Sequence, residues 1–98
     1  MNIDTKVYMI VAKIPTGYVM TYGSIAKKLN MKSPRLVGKI LHKNNDPIKV
    51  PCHRVVFSDG KLSINYAYGG YEIQKQKLIN EGVIFINQKV NLKLCNMN

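Results

Sequence analysis

Two short helical segments joined by a tight turn constrain the fold of this chain more than any other feature of its sequence. Residues 22–29 follow Thr21, which is suited to cap a helix N-terminus, and Asn30 is suited to the left-handed position that ends a helix. The pair Ser33-Pro34, a cap followed by proline at the first helical position, begins a second helix that is expected to reach residue 43 or 44. This pattern predicts a helix-turn-helix.

The second helix has an apolar face and a basic face. Its apolar side chains recur at helical spacing and are expected to be buried: Leu36, Val37, Ile40 and Leu41. Its basic side chains fall together on another face: Arg35, Lys39, His42 and Lys43. A basic helix in this setting favours a nucleic-acid interface, but an ordinary solvated helix has the same pattern, so both interpretations stay open at this point.

Periodicity and turn residues predict the other elements as short segments. These are a helix over 4–14 capped by Asp4 or Thr5, a strand at 18–20, a buried strand at 55–57, a loop at 61–70, a helix over 71–80 that buries Ile73, Leu78 and Ile79, a strand at 83–86 and a frayed tail at 87–98. Together they predict a mostly α fold with short β elements, in a single compact winged-helix-like domain over residues 1–98.

Charge narrows the class of partner. Fifteen Lys and Arg residues against five acidic ones give a formal net charge of +10, which favours a polyanion such as nucleic acid. No apolar run approaches the roughly 18 residues of a membrane-spanning helix, and no signal peptide is evident. Two cysteines and two histidines do not form a disulfide framework or a zinc spacing, so no metal is expected. A monomer in a reducing, cytoplasmic setting is expected, nucleoid-associated if the source is prokaryotic.

One cysteine lies in an unusual local sequence, Val50-Pro51-Cys52-His53-Arg54. Basic neighbours lower the pKa of a thiol and so favour its nucleophilic thiolate, but a lone cysteine is also commonly a small buried apolar residue. Pro51 favours an extended approach, in which Cys52 and His53 point to opposite faces. The histidine could then serve the cysteine only through a bridging water or a turn of the backbone.

The run Pro51-Cys52-His53-Arg54-Val55 resembles the active-site signature of the O6-alkylguanine-DNA alkyltransferases, which take an alkyl group from guanine onto cysteine. Further blocks resemble this family in the same order, over roughly residues 6–84. These are Ile14 to Ala26, with its Thr21-Tyr22 pair, the Arg-x-Val-Gly motif at Arg35 to Gly38, Asn44 eight residues before the cysteine, and Tyr68-Gly69-Gly70 followed by Lys75 and Glu81-Gly82.

The resemblance implies a role for each matched residue. Cys52 would receive the alkyl group from a flipped-out guanine, and His53, oriented by Glu81, would activate it through a water. Asn44 would brace the turn, Tyr22 would rotate the nucleotide and protonate the guanine, and Arg35 would intercalate. Further contacts to double-stranded DNA, largely without sequence preference, would come from Thr21, Ser33, Lys39 and Lys43, and the substrate pocket from Val55, Tyr66, Tyr68, Gly69 and Lys75. No cofactor is implied.

The sequence also departs from the family pattern. The family's N-terminal domain is expected to be absent, extra residues before Tyr68 leave Tyr66 as an alternative equivalent, Gly69 stands where the family often has serine, and Glu81 is one residue closer to Lys75 than usual. A second hypothesis is that the chain is an alkyltransferase-like protein, because such proteins are short and bind alkylated guanine as a signal for excision-repair proteins. They usually replace the cysteine that this chain keeps, so alkyl transfer is favoured. A helix-turn-helix regulator with a structural cysteine is the third reading.

Overall fold

Local capping residues fix the ends of the central helices. The computed structural model describes residues 1–64 and 66–97. Helix α1 spans Ile3–Ala12, strand β1 Met20–Thr21, α2 Tyr22–Lys28 and α3 Pro34–His42. The hydroxyl of Thr21 accepts from the Ser24 N–H at 3.0 Å, and that of Ser33 accepts from the Arg35 N–H at 3.1 Å. Asn30 has φ 53°, as expected for a residue that ends a helix. The predicted helix-turn-helix is confirmed.

The second half of the chain begins with a turn and alternates short elements. A 3₁₀ turn at Cys52–Arg54 leads into β2, Val55–Val56, and α4 spans Gly70–Asn80. Strands β3, Phe85–Ile86, and β4, Lys89–Val90, precede α5, Leu92–Cys95. The described residues thus contain five α-helices and four two-residue strands, which confirms the mostly α fold with short β elements.

The parallel pairing of β1 with β2 brings the two halves of the chain together. Met20 is the register partner of Val55, and Thr21 that of Val56. Because side chains alternate along a strand, Met20 and Val55 join a core under α1, α2 and α3, whereas Val56 joins a second core under α4 and the C-terminal segment. The pairing therefore fixes the start of α2 beside the turn that carries Cys52.

Several boundary and burial predictions are wrong. The cap of α1 is Asn2, whose side chain accepts from the Thr5 N–H at 2.9 Å, while the predicted cap Asp4 pairs with Lys43 instead. Exposure is 40% for Leu36, 45% for Ile73 and 46% for Ile79, all predicted to be buried. On α4 the buried positions are four residues apart, at Gln74 and Leu78, so the inward face includes a polar residue.

The C-terminal segment is ordered rather than frayed. Strands β3 and β4 pair as an antiparallel hairpin, and Asn87 and Gln88 supply the two positive φ values that its tight turn needs. The backbone N–H of Met97 donates to the Val19 carbonyl at 2.7 Å, and Cys95 is buried. Apolar burial and backbone pairing hold this segment. Among the described residues, no helix has the length and apolarity needed to cross a membrane.

Candidate active site

Cys52 lies in a 3₁₀ turn and not in the extended segment that its proline predicted. The N–H of Arg54 donates to the Pro51 carbonyl at 2.9 Å, and the N–H of Cys52 donates to the Val50 carbonyl at 2.7 Å. These bonds remove the extended geometry that would direct Cys52 and His53 to opposite faces. The cysteine is only 6% exposed.

Asn44 braces the segment that leads into this turn. Its side-chain amide donates to the Val50 carbonyl at 2.9 Å, and its side-chain oxygen accepts from the Asp46 N–H at 3.1 Å. Burial raises the pKa of the Cys52 thiol, although a hydrogen bond with Asn44 and the charge of Lys77 act in the opposite direction. Burial therefore outweighs the basic neighbours, and the pKa of Cys52 lies above its ordinary value, as in a buried thiol.

The two ring nitrogens of His53 differ in their hydrogen bonding. Its Nε2 lies 2.9 Å from Glu81 Oε2, and its buried Nδ1 has no hydrogen-bond partner among the described residues. Burial lowers the pKa of His53 more than the Glu81 carboxylate raises it, so the imidazole is neutral near pH 7. With the proton on Nε2 facing the carboxylate, the lone pair of Nδ1 is free to accept a proton.

Arg54 holds Glu81 and does not serve the thiol. Its Nε donates to Glu81 Oε1 at 2.9 Å and its Nη2 to Oε2 at 2.8 Å, a bidentate pair. Its Nη1 also donates to the Ile14 carbonyl at 2.7 Å, which ties the pair to the segment that follows α1. Burial raises the pKa of Glu81, but the hydrogen bonds from Arg54 and His53 outweigh it and the pKa is lowered. Glu81 is therefore a fixed carboxylate behind His53.

Two residues of α4 support the site without having been predicted. Gln74 is 1% exposed, and its Nε2 donates to the carbonyls of His53 at 3.0 Å and Val55 at 3.3 Å. Lys77 donates to the Tyr66 hydroxyl at 2.8 Å. A glutamine or a lysine in a helix ordinarily indicates a solvated position. The one sequence signal for Gln74 is its spacing of four residues from the apolar Leu78.

A cleft of about 990 Å³ opens above the cysteine. Five of the predicted functional residues line it together with Cys52, namely Tyr22, Ser33, Arg35, Lys39 and Tyr66, and so do His42 and Phe57. Burial raises the pKa of Tyr22 to about 12, with a smaller contribution from Cys52, so its hydroxyl stays protonated at neutral pH. The cleft combines a thiol, a phenol that can donate a proton, and cations from α3.

The other predicted residues lie outside the cleft lining. Lys75, which was predicted in the substrate pocket, donates to Gln88 at 2.7 Å and does not line the cleft, so that prediction is wrong. Lys43 is paired with Asp4 at 2.8 Å, and its contact with DNA stays a prediction. The position of Lys75 follows from helix geometry, because Lys77 and not Lys75 lies on the side of α4 that faces Tyr66. Of the rest, Thr21 is buried as a helix cap, Val55 is fully buried, Tyr68 donates to the Asn44 carbonyl, and Gly69 precedes α4 with φ 126°.

No group of three or more His, Cys, Asp or Glu side chains within residues 1–64 and 66–97 is arranged to hold a metal ion. The available chemistry is that of a nucleophile with an acid and a base. A buried thiol, a neutral imidazole with a free lone pair and a protonated phenol can together move an electrophilic carbon onto sulfur.

Comparison with known proteins identifies the family. The family model described as "6-O-methylguanine DNA methyltransferase, DNA binding domain" matches residues 2–83. The methylated-DNA–protein-cysteine methyltransferase of Thermococcus kodakarensis is 48% identical over 82% of this chain, which spans only 44% of that relative, less than half its length. The alkyltransferase-like protein 1 of Schizosaccharomyces pombe is 42% identical over 81% of this chain and 74% of its own length.

A solved structure of that Schizosaccharomyces pombe protein, in complex with damaged DNA containing O6-carboxymethylguanine, superposes with a TM-score of 0.81 at 35% identity and covers 97% of both chains. The likeness therefore extends beyond the cysteine motif to the helix-turn-helix, the cleft and the C-terminal elements. The family model alone accounts for more than four fifths of the sequence. The chain belongs to the 6-O-methylguanine DNA methyltransferase family, in which it matches the DNA-binding domain.

Proposed function

We propose that this chain repairs DNA by moving the alkyl group of an O6-alkylguanine irreversibly onto Cys52, once per molecule. The observation that carries the proposal is that Cys52 lines a basic cleft next to a neutral His53 in the chain. The Nε2 of this histidine lies 2.9 Å from Glu81, and its Nδ1 has no hydrogen-bond partner among the described residues. A thiol of raised pKa needs such a base, because only its thiolate is a good nucleophile.

The proposed reaction is a single displacement. The Cys52 proton passes through a bridging water to Nδ1 of His53, and the Glu81 carboxylate stabilises the imidazolium that forms. The thiolate attacks the alkyl carbon, a carbon–sulfur bond forms, and the bond from that carbon to guanine O6 breaks. Tyr22 donates its proton to the departing guanine, and the proton held by His53 replaces it through solvent. The thioether has no route back, so no second turnover follows and no cofactor is consumed.

The alkylated base reaches Cys52 only if it leaves the base stack, because the thiol is buried at the bottom of the cleft and cannot approach a base that is stacked in the duplex. Arg35, at the N-terminal end of α3, and Lys39 both line the cleft. In the proposed complex Arg35 fills the vacated space and Lys39 holds phosphates. These contacts carry no base code, which suits repair at any guanine. Duplex DNA with an extruded O6-alkylguanine is the proposed substrate, and a cytoplasmic monomer is the proposed working form.

The DNA side of the reaction tests this proposal. A duplex with one O6-methylguanine is incubated with a small molar excess of protein, digested to nucleosides and analysed for O6-methylguanine and guanine. Wild-type protein should convert the lesion to guanine, whereas Cys52→Ala should bind the duplex and leave the lesion intact. Retention of the lesion by a wild-type protein that binds it would contradict alkyl transfer.

A second function is favoured by one specific observation. The superposition over 97% of both chains is with an alkyltransferase-like protein bound to damaged DNA. A chain that binds the alkylated base, leaves it unchanged and marks it for excision-repair proteins would match that likeness. In the nucleoside experiment this sensor would bind the lesion and return it intact from wild type and Cys52→Ala alike.

A further inference from the structure

One aromatic side chain of the cleft has no role in the proposed chemistry. Phe57 follows β2 directly and was predicted to continue a buried strand, yet it is 45% exposed. It lines the same cleft as Cys52, Arg35 and Lys39. An apolar ring left half-exposed among cations loses the stabilisation that burial would give it. Phe57 is therefore accessible to a ligand that enters the cleft.

The backbone at Phe57 belongs to a tight, hydrogen-bonded turn. The N–H of Phe57 donates to the Lys61 carbonyl at 2.9 Å, and the Gly60 N–H donates back to the Phe57 carbonyl at 2.8 Å. Gly60 has φ 88°, and a Cβ there would lie 2.6 Å from the Val90 carbonyl oxygen, so the turn packs tightly against β4. Such a turn can present an exposed ring without first having to be ordered by a ligand.

The ring forms a continuous surface with Tyr22. Their centroids are 5.2 Å apart with an interplanar angle of 45°, and both side chains line the cleft. Arg35 and Lys39 supply positive charge along the same cleft, within a chain of net charge +10. Flat apolar surface next to cations matches a nucleotide, which has a flat aromatic base and an anionic phosphate.

We propose that Phe57 is a nucleotide-binding residue that forms, with Tyr22, the aromatic wall against which the extruded nucleotide packs. The inference rests on the proposed function, because that chemistry requires the alkylated base to pass the cleft rim and reach Cys52. Stacking on an aromatic side chain needs no particular base, so Phe57 contributes affinity for extruded nucleotides in general and no sequence preference.

Substitution at two equally exposed aromatic residues gives a matched test. Tyr18 is also 45% exposed but is not among the residues that line the cleft. Phe57→Ala should weaken binding of a duplex containing O6-methylguanine by about 5- to 150-fold, the range for loss of one base–aromatic stack. Phe57→Leu keeps apolar contact with Tyr22 but cannot stack, so it should resemble Phe57→Ala. Tyr18→Ala should bind like wild type.

Fluorescence gives a direct readout of the contact, because the chain contains no tryptophan. In the Phe57→Trp variant, the single indole should be quenched by the O6-methylguanine duplex and clearly less by the same duplex without the lesion. In Tyr18→Trp, neither duplex should change the emission. Equal quenching of Phe57→Trp by both duplexes would place the ring against ordinary DNA and overturn the inference.

The result for wild-type protein separates this inference from the proposed function. If wild type binds and converts the lesion while Phe57→Ala binds as tightly as Tyr18→Ala, the aromatic wall is wrong and alkyl transfer stands. If wild type binds and retains the lesion while Phe57→Ala binds weakly, the wall stands in a sensor. If wild type shows no preference for the lesion, both proposals are overturned.

Discussion

At the scale of single residues, protonation states decide what the site can do. Burial keeps Cys52 a thiol and His53 neutral, while Arg54 keeps Glu81 ionised. Near neutral pH the site therefore contains two neutral groups, the thiol and the imidazole, beside the guanidinium cation of Arg54 and the carboxylate anion of Glu81. The sequence indicated which residues take part, but not these states, because they depend on burial and on partners that are distant in sequence.

The pH dependence of alkyl transfer should report His53. Its pKa in the folded chain lies below the usual value of about 6.5, so the single-turnover rate constant should be level near neutral pH and fall as His53 becomes protonated below about pH 6.5. Unfolded chains bind this proton more readily, so stability should also be lost as pH falls through the folded-state pKa. Rapid-quench kinetics and chemical denaturation across pH measure both.

His42→Asn is the control for that profile, because His42 lines the cleft and is the other histidine of the chain. The decline at low pH should persist in this variant. Its disappearance would assign the titration to His42 and contradict the role of His53 as the proton acceptor.

Both thiols should be poorly reactive in the folded protein. Cys52 and Cys95 are 6% and 3% exposed, and burial raises the pKa of Cys52. Iodoacetamide at neutral pH should therefore label native protein at least about tenfold more slowly than protein unfolded in guanidinium. Peptide mapping follows each cysteine, and Cys95→Ala isolates Cys52. Fast labelling of Cys52 in native Cys95→Ala would show an exposed or pre-ionised thiol, which the buried site excludes.

At the scale of elements, the features that depend on local hydrogen bonds were predicted from the sequence, whereas those that depend on tertiary contacts were not. The caps at Thr21 and Ser33 depend on hydrogen bonds to residues two or three positions away, which the sequence itself contains. The exposure of Ile73 and Ile79 and the burial of Gln74 depend on the turn that α4 covers, 20 or so residues earlier. The ordered tail likewise depends on Val19, far away in the chain.

Gln74 should couple α4 to the 3₁₀ turn at Cys52–Arg54. In Gln74→Met, the carbonyls of His53 and Val55 lose their buried donor, which should lower the free energy of unfolding by about 1–3 kcal/mol. Alkyl transfer should slow while lesion affinity stays near wild type, because Gln74 does not line the cleft. Gln76→Met, exposed on the same helix, should change neither property. Equal stability of the two variants would show that the two carbonyls do not need this donor.

At the scale of the whole molecule, charge and topology act together. Parallel pairing of β1 with β2 brings the helix-turn-helix and the cysteine turn to one cleft, so that Cys52 and the cations of α3 line the same cavity. The resemblance of the sequence to alkyltransferases located most of this site. It misplaced Lys75, since the contact of that residue with Gln88 is visible only in the folded chain.

Arg35 should matter only when a duplex has to be opened. Arg35→Ala should reduce repair of duplex O6-methylguanine by about tenfold or more, equivalent to about 1.4 kcal/mol, and leave reaction with free O6-benzylguanine nearly unchanged. Lys13→Ala removes an exposed cation outside the cleft lining and should affect neither reaction. Parallel single-turnover assays on the two substrates compare them. Equal losses on both substrates in Arg35→Ala would rule out a role in extruding the nucleotide.

The most direct test of the account follows the methyl group to the protein. Protein is incubated with excess duplex containing O6-methylguanine, its intact mass is measured over time, and digestion locates the modification. The account predicts a plateau at one added methyl group per molecule, on the peptide that carries Cys52 and not on that of Cys95, with no gain in Cys52→Ala. An unchanged mass while the lesion is bound would contradict alkyl transfer and make the chain a sensor of alkylated guanine.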